Sequence, residues 1–378
     1  SARAVGASPA IRPIVRSVGR ARTGRSVAPH PRPSKKPTGG MWLARRARNA
    51  IIGPMTSPID PDAPTFFEGP EKKLELVVAD GGPDLRSLGD ELWHSVVAAS
   101  GAQVLSQISN EHQTAYLLSE SSLFVYEDHL TMITCGRTRL VNAVGRILER
   151  VPPDQIAMLA YERKNEHFPD RQPSSFYDDA QQLAAWVGGE AHRFGDEHDH
   201  HVHLFTTTKP YTAHAGDTTL EILMHGLPED RASRFIGCER PEGSTIAAER
   251  GLTAFLPDFE IDEHPFTPAG YSVNGIRGAD YFTVHVTPEA LGSYVSFETN
   301  VDFRADLSSV VGHVIEVFQP RSFDVVAFTP ASDGAGDLDL KGYHIKDRVH
   351  AELAGYEVAF WHAFRPIEEP RPPARLSL

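Results

Sequence analysis

Cysteine is nearly absent: 378 residues include only Cys135 and Cys238. That is too few for a disulfide scaffold and suits a reducing compartment, so a cytoplasmic location is expected. No apolar run reaches the roughly 18 residues that would cross a bilayer, and no membrane role is expected. Acidic residues are missing altogether from positions 1–54, which hold ten Arg and two Lys. The remainder therefore carries 25 basic against 50 acidic residues. A body that acidic disfavours nucleic acid and anionic membranes and suits cationic ligands. There is no phosphate loop, because Gly270–Gly275 has neither the lysine nor a strand-to-helix setting. A nucleophile elbow of the Ser-His-Asp hydrolases is also missing.

What is present divides the chain. Residues 1–54, rich in Arg, Ser, Pro and Gly, read as disordered. Their composition also fits a transit peptide, or translation upstream of Met41 or Met55. Residues 1–64 are taken as tail and linker, 65–366 as a single domain, and 367–378 as a C-terminal tail. Within the domain, strands are expected at 71–79, 103–109, 114–126, 129–134, 155–161, 218–225, 281–287, 294–298 and 323–328, with a hairpin over 191–207. Helical spacing marks 90–100, 139–150, 177–187 and 307–318. The strand–helix–strand pattern around Cys135–Tyr161 recurs around Glu298–Phe328, a sign of internal duplication. Hairpins with segregated helices imply an α+β layered fold with largely antiparallel sheets.

One stretch resists a plain reading. Tyr116–Val125 is apolar, yet Ser119-Glu120-Ser121-Ser122 interrupts it. A strand end with one wet face would explain this, since a buried carboxylate and hydroxyls each need partners. The stretch also resembles the self-cleavage site of the eukaryotic S-adenosylmethionine decarboxylases. Four further blocks match in order: Phe66-Phe67-Glu68-Gly69-Pro70-Glu71-Lys72, Thr134-Cys135-Gly136, Gly270-Tyr271-Ser272-Val273-Asn274-Gly275, and His285-Val286-Thr287-Pro288-Glu289 running on to Ser293–Asn300. The resemblance spans about residues 66–366. It implies a four-layer αββα sandwich with an internal duplication, and a proenzyme that makes decarboxylated S-adenosylmethionine for spermidine and spermine synthesis.

Decarboxylation of an amino acid leaves a carbanion, and a carbonyl that forms a Schiff base with the substrate amine supplies the electron sink. The resemblance implies a pyruvoyl group made from Ser121 by cleavage between Glu120 and Ser121, the two chains staying associated; a homodimer is compatible with it. By the same resemblance His285 is the processing base with Ser272 beside it. Cys135 is the proton donor in turnover, a role suited to a thiol near its normal pKa. Phe67 and Phe266 sandwich the adenine, Glu289 holds the ribose, Glu120 lines the adenine side, and Glu68 and Glu71 act near the reaction centre. Periodicity independently sets His285 on one strand face with Thr283 and Thr287. Cys238 is expected to be structural or exposed, and Ala269 replaces a cysteine common in the family.

Family members of the animal type bind putrescine in a buried acidic cluster, whose counterparts are Glu75, Asp217, Thr219, Glu221 and Glu298. The family's usual lysine before Thr-Cys-Gly is Ile133. Glu71, Lys73 and Glu75 alternate along one strand and share a face, so Lys73 either substitutes for the diamine or is a surface lysine. Activation by putrescine and no activator both stay open. The tract His192, His198, His200, His201 and His203, with Asp196, Glu197 and Asp199, follows no defined ligand spacing, and no metal is expected there. Two rival functions are a pyruvoyl decarboxylase of another amino acid, and a non-catalytic homologue that binds a partner subunit.

Overall fold

Alternation sets the first strand, β1 (Lys72–Val78). Leu74, Leu76 and Val78 are buried against helices, while Lys73 and Glu75 take the other face. The structure is a computed structural model describing residues 66–290 and 292–366. The expected tails and the readings of residues 1–54 lie outside the described residues.

Seven further strands complete the first sheet: β2 (Val104–Ser109), β3 (Thr114–Leu118), β4 (Ser121–Val125), β5 (His129–Thr134), β6 (Ile156–Lys164), β7 (Glu190–Gly195) and β8 (His201–Thr206). The second sheet holds β9 (Thr219–His225), β10 (Glu260–Pro265), β11 (Tyr271–Arg277), β12 (Asp280–Thr287), β13 (Tyr294–Thr299), β14 (Ser322–Pro330), β15 (His344–Leu353) and β16 (Tyr356–Phe364). Their orders are β2-β3-β4-β5-β1-β6-β8-β7 and β10-β11-β12-β13-β9-β14-β16-β15. Adding eight to each strand of the first order gives the second, so the duplication covers both sheets entire. All pairings among the described strands are antiparallel.

Helices α1 (Asp90–Ser100), α2 (Val141–Ile147) and α3 (Phe176–Val187) share a core with Leu74, Leu76 and Leu123 of the first sheet. Helices α4 (Glu229–Ala232), α5 (Ile246–Glu249) and α6 (Leu307–Phe318) do the same for the second sheet, where Val311, Val314, Ile315 and Phe318 form the buried stripe of α6. Each such side chain contributes roughly 1.5–3 kcal/mol by burial. Local signals set the ends. Ser175 and Asp178 form a capping box on α3, Asp306 accepts from Ser309 N–H at the start of α6, and α1 stops at Gly101 with φ +96°. Between the sheets lies a third apolar cluster that includes Met158, Leu204, Leu223, Val326 and Phe360. The layers are therefore αββα. No helix among the described residues is long and apolar enough to cross a membrane.

The structure corrects the expected elements in three places. The strand expected over 114–126 is a hairpin, because Leu118 pairs with Ser121 and Ser119-Glu120 make the turn. The strand expected to stop at Tyr161 runs on through Glu162, Arg163 and Lys164, all buried. Strands β10, β11, β15 and β16 were not anticipated; β15 is an edge strand with six of its ten residues exposed, which hides its period.

Candidate active site

The β3–β4 turn is held from both sides. Ser119 N–H donates to Gln103 O (2.8 Å), and Gln103 N–H donates back to Ser119 Oγ (2.9 Å). On the other side Cys135 N–H donates to Glu120 O at 2.9 Å, and the Cys135 thiol reaches the same oxygen at 3.3 Å. Ser121 closes the turn at φ +134°. That region favours glycine, and holding a side chain there costs roughly 1–3 kcal/mol. Its hydroxyl is buried and donates to Cys135 Sγ at 3.6 Å. The peptide between Glu120 and Ser121 is thus strained, and its carbonyl is polarised by two donors.

The second sheet supplies an imidazole. Ser272 on β11 pairs in register with His285 on β12, and Ser272 Oγ lies 2.8 Å from His285 Nδ1. The other ring nitrogen, Nε2, lies 2.8 Å from Thr283 Oγ1 and 3.2 Å from Ser122 Oγ. Ser122 donates to Asn274 Oδ1 at 2.6 Å, and Thr283 donates to the same oxygen at 3.0 Å. Ser122 and Asn274 were missed in the sequence, and Thr283 was placed on the His285 face without a partner. The signal was there, because Asn274 follows Ser272 by two and Thr283 precedes His285 by two, on shared strand faces. Burial pushes the His285 imidazole down to about 3, so it is neutral at pH 7. Burial pushes the Cys135 thiol up to about 12, which corrects the expectation of a near-normal pKa: the thiol stays protonated.

These groups open on a cavity of about 510 Å³ lined by Glu120, Ser121, Cys135, Ser272 and His285, with Phe67, Phe266 and Glu289 among the other walls. Glu289 Oε1 accepts from Phe67 N–H at 3.2 Å, which ties the carboxylate to the ring's backbone. Gly136, at φ +63°, lets the Phe67 ring come close; a Cβ there would meet it at 3.0 Å. The two other expected acids do not line the cavity. Glu68 accepts from His167 N–H (2.8 Å) and Phe168 N–H (2.9 Å). Glu71 is buried and pushed up to about 8 by desolvation, against the pull of the Ser296 hydroxyl.

Lys73 is fully buried between the sheets. Its Nζ lies 2.6 Å from Glu75, 2.7 Å from Glu221 and 3.2 Å from Glu298. Burial alone would push this ammonium down, but the carboxylates outweigh it and hold it well above its ordinary value. Glu298 also accepts from the Tyr281 hydroxyl. Glu162 on β6 faces the same group, and burial with Glu221 nearby raises it. A cavity of about 240 Å³ beside the cluster is lined by Glu75, Asp217 and Thr219, where Asp217 accepts from the Tyr356 hydroxyl at 2.5 Å.

The histidine tract does fall on the β7–β8 hairpin, but its members separate. His201 bonds the Asp196 and Asp199 carbonyls, His203 stacks on Phe176, and His200 turns inward toward Asp324. Cys238 is half-buried against the core of the second sheet.

Comparison with known proteins gives the family and the fold. The family model described as adenosylmethionine decarboxylase matches residues 64–364. A protein of Dictyostelium discoideum called S-adenosylmethionine decarboxylase proenzyme is 33% identical over 321 residues, covering 77% of this chain and 84% of that one. An Onchocerca volvulus protein of the same description is 36% identical over 279 residues, covering 70% and 76%. Among solved structures, the AdoMetDC-delta26 monomer of Trypanosoma brucei superposes with a TM-score of 0.52 at 25% identity, covering 65% of this chain and 99% of that one.

Proposed function

The chain belongs to the adenosylmethionine decarboxylase family, and from that premise we propose that it cleaves itself between Glu120 and Ser121 and decarboxylates S-adenosylmethionine. The product is the aminopropyl donor for spermidine and spermine. The observation that carries this reading is the Glu120–Ser121 peptide: strained at φ +134°, its carbonyl held by Cys135, at the wall of a nucleoside-sized cavity.

In processing, Ser121 Oγ adds to the Glu120 carbonyl carbon and the amide becomes an ester. Cys135 N–H and thiol donate to the developing oxyanion. Neutral His285, oriented through Nδ1 by Ser272, takes the Ser121 α-proton, and the Glu120 carboxylate leaves. The remaining dehydroalanine takes up a water and releases ammonia, leaving a pyruvoyl group. The buried Ser121, in contact with the protonated Cys135 thiol and lining one cavity with the neutral His285 imidazole, fits that group. When formed, it supplies the carbonyl that draws off the electron pair left by carbon dioxide. Phe67 and Phe266 take the adenine, Glu289 the ribose hydroxyls, and Glu120 borders the adenine side. The protonated Cys135 returns a proton to the α-carbon. A cytoplasmic location and association of the two cleaved chains belong to this proposal.

Lys73 supplies within the chain the cation that animal members take from putrescine. Its three carboxylate partners, Glu75, Glu221 and Glu298, are acids of the expected diamine cluster.

The test is carbon dioxide release from carboxyl-labelled S-adenosylmethionine, beside labelled ornithine, lysine and arginine. Release is expected from S-adenosylmethionine alone and is expected to be blocked by phenylhydrazine, a carbonyl reagent. Cys135→Ala is expected to process itself and to release carbon dioxide at least tenfold more slowly. Release from another amino acid in preference would overturn the substrate assignment, and wild-type turnover by Cys135→Ala would overturn the proton donor.

A further inference from the structure

A second polar cluster shares no residue with the reactive cavity. Four elements build it: the β7–β8 turn gives His200, β9 gives His225, β14 gives Asp324 and β16 gives His362. Asp324 is fully buried at its centre. Its Oδ1 lies 2.7 Å from His362 Nδ1, while its Oδ2 lies 2.9 Å from Lys164 Nζ, 3.4 Å from His200 Nδ1 and 3.9 Å from His225 Nε2. The His200 ring stacks on His362 at 4.4 Å and meets His225 nearly edge-on at 4.4 Å.

The histidines are under-used. Nδ1 of His200 and both ring nitrogens of buried His225 have no hydrogen-bond partner in the chain. Leaving such groups unpaired inside a protein is unfavourable. Donor atoms of His200, His225 and Asp324 all lie within 4.8 Å of one another. A tetrahedral metal with bonds of about 2.0–2.1 Å sets its ligands about 3.3–3.5 Å apart, so these atoms need little movement to close on an ion.

We propose that His200, His225 and Asp324 bind a divalent transition metal of the zinc and cobalt class, with His362 orienting the carboxylate. Two imidazoles and one carboxylate suit such an ion. The His362–Asp324 contact is the outer-shell support that these sites use. The cluster borders a cavity of about 670 Å³ lined by His200, His225 and His362, which leaves room for a further ligand. Lys164 shares Oδ2 of the same carboxylate and is anchored by donating to the His201 carbonyl at 3.0 Å; its charge keeps the affinity moderate. The ion would join the first sheet, through the His200 turn, to two strands of the second, β9 and β14.

The experiment uses the full chain without an affinity tag, stripped with chelator and titrated with cobalt(II) chloride. One equivalent is expected to bind with the visible absorption of four- or five-coordinate cobalt, to be displaced by zinc, and to raise Tm. His200→Ala, at a half-buried position, is expected to weaken binding at least tenfold, and His362→Ala by tenfold or more. His203→Ala, in the same tract but outside the cluster, is expected to change nothing. A wild-type chain that gives no stoichiometric cobalt spectrum overturns the proposal. A spectrum that survives His200→Ala, or is lost with His203→Ala, does so as well.

Discussion

Ser121→Ala is expected to yield a single uncut chain with no measurable decarboxylase activity. The substitution keeps the Cβ, so the strained backbone at φ +134° is unchanged and only the hydroxyl that attacks the Glu120 carbonyl is lost. His285→Ala is expected to stall later, after the ester has formed, and hydroxylamine, which attacks esters, should then release the two chains. If His285→Ala processes at the wild-type rate, the base is another group. The pKa adds a further expectation. Because burial holds His285 near 3, the folded chain does not protonate it around 6.5, and the processing rate should show no step there. The sign for stability is the opposite of a salt-bridged histidine. The unfolded chain takes up a proton at His285 that the folded chain refuses, so this residue's contribution is present above about 6.5 and lost as pH falls toward 3. A processing-rate profile with a clear break near 6.5 would contradict the neutral-base assignment.

Lys73→Leu is expected to have the second-largest effect, on stability and rate together. Leucine fits the strand face but removes the cation from Glu75, Glu221 and Glu298. Breaking a buried pair by removing one partner costs roughly 3–5 kcal/mol. The carboxyls left behind must take up protons to stay buried. Their folded pKa values then lie above the unfolded ones, so the variant should lose stability progressively as pH rises above about 4.5. Putrescine, a small dication, should restore part of both Tm and turnover in Lys73→Leu. It should change the wild-type rate little, since Lys73 already occupies the cluster. Strong stimulation of the wild-type enzyme by putrescine would show that the acids still require an external cation.

Where one face of a strand is apolar, the sequence made the geometry legible. The alternation in β1 placed Glu71, Lys73 and Glu75 on one side, and that in β12 set His285 apart from Phe282, Val284 and Val286. The duplication was legible in one strand–helix–strand unit and proved to cover both sheets. The parts that stayed hidden are those in which charge is buried. Glu162, Arg163 and Lys164 look like the end of a strand, yet each has a partner that no local pattern reveals: Glu162 the Lys73 cluster, Arg163 the Asp179 carboxylate at 2.9 Å, Lys164 the Asp324 carboxylate at 2.9 Å. The Ser119-Glu120 turn carries no glycine or proline to announce it. The Cys135 thiol was misjudged because its pKa depends on complete burial, which one sequence position does not disclose. The histidine tract suggested metal by composition, but only His200 joins the cluster; His225, Asp324 and His362 come from strands far along the chain.

Everything catalytic in this account depends on the Glu120–Ser121 peptide being broken by the chain itself. The direct measurement is the intact mass of the purified wild-type protein under denaturing conditions. Two chains are expected, one ending at Glu120 and one beginning at residue 121, the larger resistant to N-terminal sequencing because it carries a pyruvoyl group in place of an amine. A single uncut chain that nonetheless decarboxylates S-adenosylmethionine at full rate would contradict the account.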